Sequence, residues 1–282
     1  MKPEGAMPTK VLGVSSIGRL GSRRVRGHVL AAAALVTGAA AFVPGCAHDD
    51  STLFVQTVLA PQLVSPGQTC VFTSSPSQSS LSSGILDVGL RSEYDPTYLL
   101  ANQMVSQSNS QQLQTETSII TVEGAVVRIT DAAGNQLNTF TRLSSATIYP
   151  ASGTTPGYAP ISVTTVDPVT AANATANLAA GATVRLVTYA KFFGQTLGGD
   201  SVESDDFEFP VDLCIGCLVT FSASDIDPTK PYPNCGGSTG GTSTTTSLPS
   251  PCYIGQDYQT DCSQCLSAAV CNPNAGIVGG PG

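Results

Sequence analysis

Tryptophan is absent from this 282-residue sequence, histidine occurs only at His28 and His48, and 12 Lys and Arg stand against 20 Asp and Glu. The shortage of bases is sharper than that total suggests, because six of them (Lys2, Lys10, Arg19, Arg23, Arg24, Arg26) precede residue 46, beside the single acid Glu4. From Cys46 onward six bases face nineteen acids, a net charge of −13 over 237 residues. Such a surface repels phosphate backbones and anionic headgroups, since binding them needs Lys and Arg to displace counterions. Nucleic acid is therefore excluded as a partner, whereas a cationic partner or a divalent metal ion is compatible with the charge.

The missing side chains also remove most catalytic mechanisms. Beyond residue 46 only His48 is left to act as an imidazole base, and it lies two residues from the start of that segment on a short polar stretch. A Ser-His-Asp or Cys-His centre needs its imidazole held rigidly beside the nucleophile. The serines have no GxSxG context, and no Gly-rich phosphate loop with its Lys is present. The enzyme class that survives is a hydrolase using two carboxylates brought from separate strands. Even that class usually adds Trp platforms for sugar, which this chain lacks. No cofactor is called for, and a non-enzymatic role is the leading expectation.

What is present begins with a leader. After the basic residues, Val29 to Val43 run fifteen residues without a charge and end at "FVPGCAHDD", Phe42 to Asp50. A basic region followed by a short apolar one is the layout of a secretory signal, and the run is shorter than the roughly 20 apolar residues that a membrane-spanning helix needs. Val43-Pro44-Gly45-Cys46 resembles the lipobox of bacterial lipoproteins. That resemblance implies removal of residues 1–45 as a signal peptide, fatty acylation of Cys46 and a tether over 46–52. Ala47, where Asp would retain such a protein at the inner membrane, implies sorting to the outer membrane. Ser22-Arg23-Arg24 also resembles a twin-arginine export signal, but Arg26 and Gly27 replace its apolar pair, so the general secretory route is expected.

The rest of the chain is rich in Ser, Thr, Gly, Ala and Val, a composition that favours strands joined by turns. Strands are predicted over Thr69–Thr73, Gly84–Leu90, Ile119–Thr130, Leu137–Leu143, Ala146–Tyr149, Ile161–Val166, Thr183–Phe193, Phe207–Val211 and Leu218–Ser222. In "IITVEGAVVRIT" the inward face would carry Ala125, Val127 and Ile129, leaving Arg128 wet. "DAAGNQL" at Asp131–Leu137 suits a hairpin turn. Two helices are predicted: Asp95–Ser106, opened by Asp-Pro, and Pro168–Ala180, closed by Gly181. The expected class is all-β: a β-sandwich of immunoglobulin-like type over 53–222, with one or two short helical insertions. It is followed over 223–282 by an irregular, disulfide-rich, low-complexity tail. Asn173-Ala-Thr175 matches a glycosylation sequon, which a bacterial lipoprotein would not use.

Nine cysteines occur: Cys46, Cys70, Cys214, Cys217, Cys235, Cys252, Cys262, Cys265 and Cys271. If Cys46 carries lipid, eight remain, an even number that disulfides can consume in any of 105 pairings. Cys214-Ile-Gly-Cys217 and Cys262-Ser-Gln-Cys265 are CxxC pairs. Such pairs also serve redox chemistry, which needs a thioredoxin-like setting that is absent here, or a four-thiolate zinc site. Outside the cytoplasm disulfides are favoured. "DSVESDDFEFPVD", Asp200 to Asp212, gathers Asp200, Glu203, Asp205, Asp206, Glu208 and Asp212, but its spacing is not that of a calcium loop, and a solvated acidic turn is expected. Taken together, the sequence predicts a non-catalytic envelope lipoprotein with a binding, adhesion or assembly role, held at the membrane by its N-terminal lipid. Its ligand is unnamed. The alternatives are a paired-carboxylate hydrolase or an exported protein that binds zinc or calcium.

Overall fold

Alternation of side chains shapes the longest strands. In β6 (Ile120–Asp131), Ala125, Val127 and Ile129 are fully buried while Val126 is exposed, as the period of two requires. Ile120 and Val122 are buried as well, although their positions are even. A bulge between Val122 and Gly124 reverses the parity, so both halves of the strand face inward. Gly124 permits this close approach: a Cβ there would lie 2.4 Å from the Arg142 carbonyl oxygen.

The structure, a computed structural model, describes residues 52–61, 63–64, 70–107, 115–179, 181–235 and 250–271. Residues from Asp50 onward form one compact unit. In chain order its elements start with β1 (Leu53–Leu59), β2 (Leu63–Val64), β3 (Ser80–Leu81), β4 (Gly84–Asp87) and β5 (Thr97–Asn102). Then come β6, β7 (Gln136–Ile148), β8 (Gly157–Ser162), the helix α1 (Pro168–Thr175), β9 (Thr183–Thr196), β10 (Ser201–Glu203) and β11 (Phe207–Cys214). The tail adds β12 (Val219–Thr220), β13 (Ser250–Pro251) and β14 (Thr260–Asp261).

One sheet has the order β3-β1-β5-β8 and the other the order β4-β11-β9-β6-β7, with β10 paired to β9. Between them lies a single core: Leu53, Val58, Tyr98, Leu100 and Ile161 from the first sheet meet Val127, Leu186, Phe192, Phe209 and Val211 from the second. Tyr98 and Phe192 pack edge to face with ring centroids 5.1 Å apart, an arrangement that adds to the burial of both rings. The fold is thus the expected all-β sandwich with a disulfide-rich C-terminal region. Among the described residues no helix is long and apolar enough to cross a membrane.

Several local expectations are met. Asp131 accepts hydrogen bonds from Ala133 N–H, Asn135 N–H and the Asn135 amide, and Gly134 takes φ +87°, closing the β6–β7 hairpin. Helix α1 starts at Pro168, as expected, on the N-cap Asp167, whose carboxylate accepts from the N–H groups of Val169 and Thr170, but it ends at Thr175 with Ala176 as its C-cap, short of the predicted Ala180 and Gly181. Asn138 of β7 donates to the other carboxylate oxygen at 2.9 Å, fixing the helix to the sheet.

The predicted helix over Asp95–Ser106 is wrong. Residues Thr97–Asn102 form β5, the strand between β1 and β8, and all six are buried. The Asp-Pro opening is a local signal worth about 1 kcal/mol. Burying Tyr98 and Leu100 in the core is worth about 1.5–3 kcal/mol for each side chain, and backbone pairing on both edges supports the extended form. Two strands are also displaced: Ile161–Val166 is replaced by β8, four residues earlier, and no strand forms over 70–73. The strands read separately over Leu137–Leu143 and Ala146–Tyr149 are one continuous β7.

Candidate functional site

All eight cysteines beyond Cys46 are joined: Cys70 to Cys252, Cys214 to Cys217, Cys235 to Cys262, and Cys265 to Cys271. Cys46 itself lies outside the described residues, but the pairing leaves it no cysteine of its own chain to bond. The second CxxC is split, since Cys262 and Cys265 take different partners, so the two motifs do not converge on a four-thiolate site. Among the described residues the one convergent group with metal-ligand atoms is Asp87, Cys214 and Cys217. There the sulfurs are bonded to each other, and Asp87 is taken up by the backbone: Gly89, Gly216 and Leu218 N–H groups donate to its carboxylate at 2.8 to 3.1 Å. That carboxylate pins the 214–218 turn against β4. Four disulfides point to an oxidising, extracytoplasmic compartment.

Three of the six acids in the acidic stretch are paired with bases on neighbouring strands. Asp212 lies opposite Arg185 and receives two hydrogen bonds of 2.7 Å from its guanidinium. Asp206 pairs with Arg128 at 3.0 Å, and Glu203 with Lys191. Arg128 also lies over the ring of Tyr189, its partner across the sheet, 3.8 Å from the centroid. These contacts hold the Arg185 and Lys191 side chains above their ordinary pKa, chiefly through the hydrogen bonds they donate to Asp212 and Glu203. The run is the outer face of β9, β10 and β11, a ladder of opposite charges on strands.

A half-buried carboxylate joins tail to sandwich. Asp257, at φ +64°, accepts from Ile85 N–H at 3.0 Å and from the Tyr94 hydroxyl at 2.9 Å. Its own N–H donates to the Ile85 carbonyl, while Asp87 N–H donates to Gly255, so residues 255–257 extend the edge of β4. Gln256 exchanges two hydrogen bonds of 3.0 Å with the backbone of Asp95. Burial raises the Asp257 carboxyl from 3.8 to about 6 against the hydrogen bonds that favour its charge. Burial likewise lifts the Tyr94 hydroxyl well above its usual value, helped by the Asp257 charge. Gly84 makes room for this contact, because a Cβ there would sit 2.1 Å from the Tyr94 hydroxyl oxygen. Nothing in the sequence marked Asp257; only the approach of the tail to β4 gives it a role.

Two of the surface clefts among the described residues bear on a ligand. One, of about 590 Å³, lies among Val105, Glu116, Ile119, Tyr149 and Ala151. The other, of about 270 Å³, lies among Asp95, Arg142, Ser162, Thr164 and Tyr253. Each is lined by a single carboxylate. Two acids do meet elsewhere: Asp225 is raised by burial and then by the charge of Asp261. Asp261 is held low because hydrogen bonds from Ser222 and Ser263 outweigh its own burial. That pair lines neither cleft, and Asp261 caps the short turn at Cys262–Gln264.

No family model matches the chain, and no curated protein does. Among solved structures, one described as the X-ray structure of Northeast Structural Genomics Consortium target SoR45 is similar over 57% of this chain and 87% of its own. The two share 12% identity and a TM-score of 0.27.

Proposed function

We propose that this protein is an exported lipoprotein whose β-sandwich is displayed at the cell envelope by lipid on Cys46 and acts by binding. The observation that carries the reading is the complete pairing of the other eight cysteines, which leaves over the one residue that the lipobox-like Val43-Pro44-Gly45-Cys46 would modify. Lipid chains contribute about 0.8 kcal/mol per buried CH₂, so two or more give stable anchoring without protein contacts. Display is the role of the sandwich in this reading, and binding is favoured over hydrolysis because each cleft offers one carboxylate where a glycoside or peptide hydrolase of that type needs two.

The strand order supports an immunoglobulin-like reading of the fold. A sheet of β1, β5 and β8 faces one of β11, β9, β6 and β7, and β4 joins β11 in parallel. Where antibody domains place a disulfide between the sheets, Tyr98 and Phe192 meet.

Replacing Cys46 with Ser in the full chain tests the anchor. Loss of fatty-acid labelling and release from the membrane fraction are expected. Unchanged fractionation with no labelling in the parent protein would overturn the lipoprotein reading while leaving the sandwich intact.

A further inference from the structure

In a chain with so few bases, each one after residue 46 finds an acid except one. Arg91 bonds to Asp95, Arg128 to Asp206, Arg185 to Asp212, Lys191 to Glu203 and Lys230 to Asp227. Arg142, in the middle of β7, has no ion pair or hydrogen bond through its guanidinium to any described residue. Its Nε is nonetheless buried and unsatisfied. The guanidinium carbon stands 4.8 Å from the centroid of Phe140. A buried N–H without a partner costs about 1–3 kcal/mol. A charge that served only to keep the β7 edge soluble would extend into water, as Lys does at edge strands. Arg142 is held back on the surface and lines the 270 Å³ cleft.

We infer that this cleft binds a small monocarboxylate with a flat apolar body, the guanidinium of Arg142 taking the carboxylate. The rest of the lining agrees with that chemistry. The Thr164 hydroxyl has no hydrogen-bond partner among the described residues, and beside it stands the Ser162 hydroxyl, already hydrogen-bonded to Thr97 at 2.7 Å. Tyr253 offers an aromatic wall, stiffened by Arg91, whose guanidinium lies 4.9 Å from the ring centroid. Asp95 is the other charged group in the cleft, and Arg91 neutralises it. A planar fork matches a carboxylate in a way that a point charge does not. A second negative charge on the ligand would meet Asp95 with no further base to balance it, so dianions are disfavoured. The volume suits one aromatic ring with its carboxylate.

This inference supplies a ligand class for the binding role proposed above, and it rests on that reading only for its setting. The same carboxylate chemistry could come from a free aromatic acid or from the C-terminus of a peptide ending in an aromatic residue. The test titrates the full chain, in mild nonionic detergent, with benzoate, with a short peptide ending in Phe as free acid or amide, and with inorganic phosphate. Binding is read from the Arg142 Nε–Hε resonance and from the thermal midpoint. Saturable shifts with benzoate are expected with a Kd on the order of 0.1–1 mM. Phosphate should have weaker effects, and Arg142→Gln should weaken benzoate binding at least ~10-fold. Arg142→Lys, which keeps the charge and the fold, should recover little of the loss. Tighter binding of the free-acid peptide, with none by the amide, assigns the carboxylate to a chain terminus; benzoate binding alone assigns it to a free acid. No saturable shift, phosphate equal to benzoate, or unchanged binding in Arg142→Gln would overturn the inference. The outcome is independent of Cys46, so failure here and failure of the lipid anchor are told apart.

Discussion

The sandwich and the tail are stabilised by different means in one chain. Between β4 and β11 the core is built from Tyr94, Tyr98, Ile129, Phe192, Phe209 and other large apolar side chains, and no disulfide crosses it. The buried cluster of the tail consists of Cys235, Cys262, Cys265 and Cys271, with Phe221, Ile254 and Val270 against it. So few apolar groups do not offset the conformational entropy of the described tail residues, and cross-links that restrict the unfolded chain supply the difference. The lesson is one of composition: where Ser, Thr and Gly replace Val, Ile and Phe, a segment in an oxidising compartment acquires order through sulfur.

The largest effect expected is on the sandwich. Phe192→Ala should cost about 3–5 kcal/mol in chemical denaturation and take sandwich and tail down together, since residues 255–257 are bonded to the edge of β4. Next, Cys235→Ser with Cys262→Ser should cost about 3–4 kcal/mol, the loop-closure value for a separation of 27 residues. Hydrogen exchange should then quicken over 250–271 while amides of β6 and β9 stay protected. Equal loss of protection in both regions would break the comparison by showing that the tail holds up the sandwich.

Asp257 sharpens the comparison at the seam. Its carboxyl is raised in the folded chain, so folding binds its proton more tightly than the unfolded chain does. Its contribution is full below 3.8 and is lost as pH rises through about 6. Asp257→Asn keeps an acceptor and suits the left-handed backbone. It should remove that slope and leave the mutant more stable than the parent at pH 7, by up to about 3 kcal/mol. Asp257→Ala strands the Tyr94 hydroxyl and Ile85 N–H and should destabilise at every pH. Thermal midpoints from pH 4 to 8 for the three proteins decide it; parallel curves for parent and Asn variant would mean that the seam is indifferent to this proton. Smallest of all, Arg185→Ala on the solvated face should leave the midpoint unchanged at high salt, because the Asp212 pair is exposed there.

The parts legible in the sequence were those with strong alternation. β6, β9 and β11 announce themselves because charged and β-branched residues change places every second position, and Asp131–Asn135 carries its turn chemistry on its face. β5 does not, because a central strand buried on both sides has no polar face to alternate with, and its Asp-Pro start imitates a helix cap. The cysteine parity was legible, the pairing was not, since partners as distant as Cys70 and Cys252 are set by the fold. Arg142 was one of many residues on an edge strand. It becomes notable only after the other five bases have been matched with their acids, a fact of three dimensions.

The parallel pairing of β4 with β11 has a consequence for how the chain reaches this state. Gly84 to Asp87 align with Val211 to Cys214, residues more than a hundred positions later. Contacts so distant along the chain are slow to form, because loop-closure entropy is lost before they return any energy. A polypeptide ending before Phe207 has β4 without its only full strand neighbour and leaves β9 unpaired along the edge that β11 covers. The complete sandwich therefore forms only once β11 has been added, after nearly all of its strands are present.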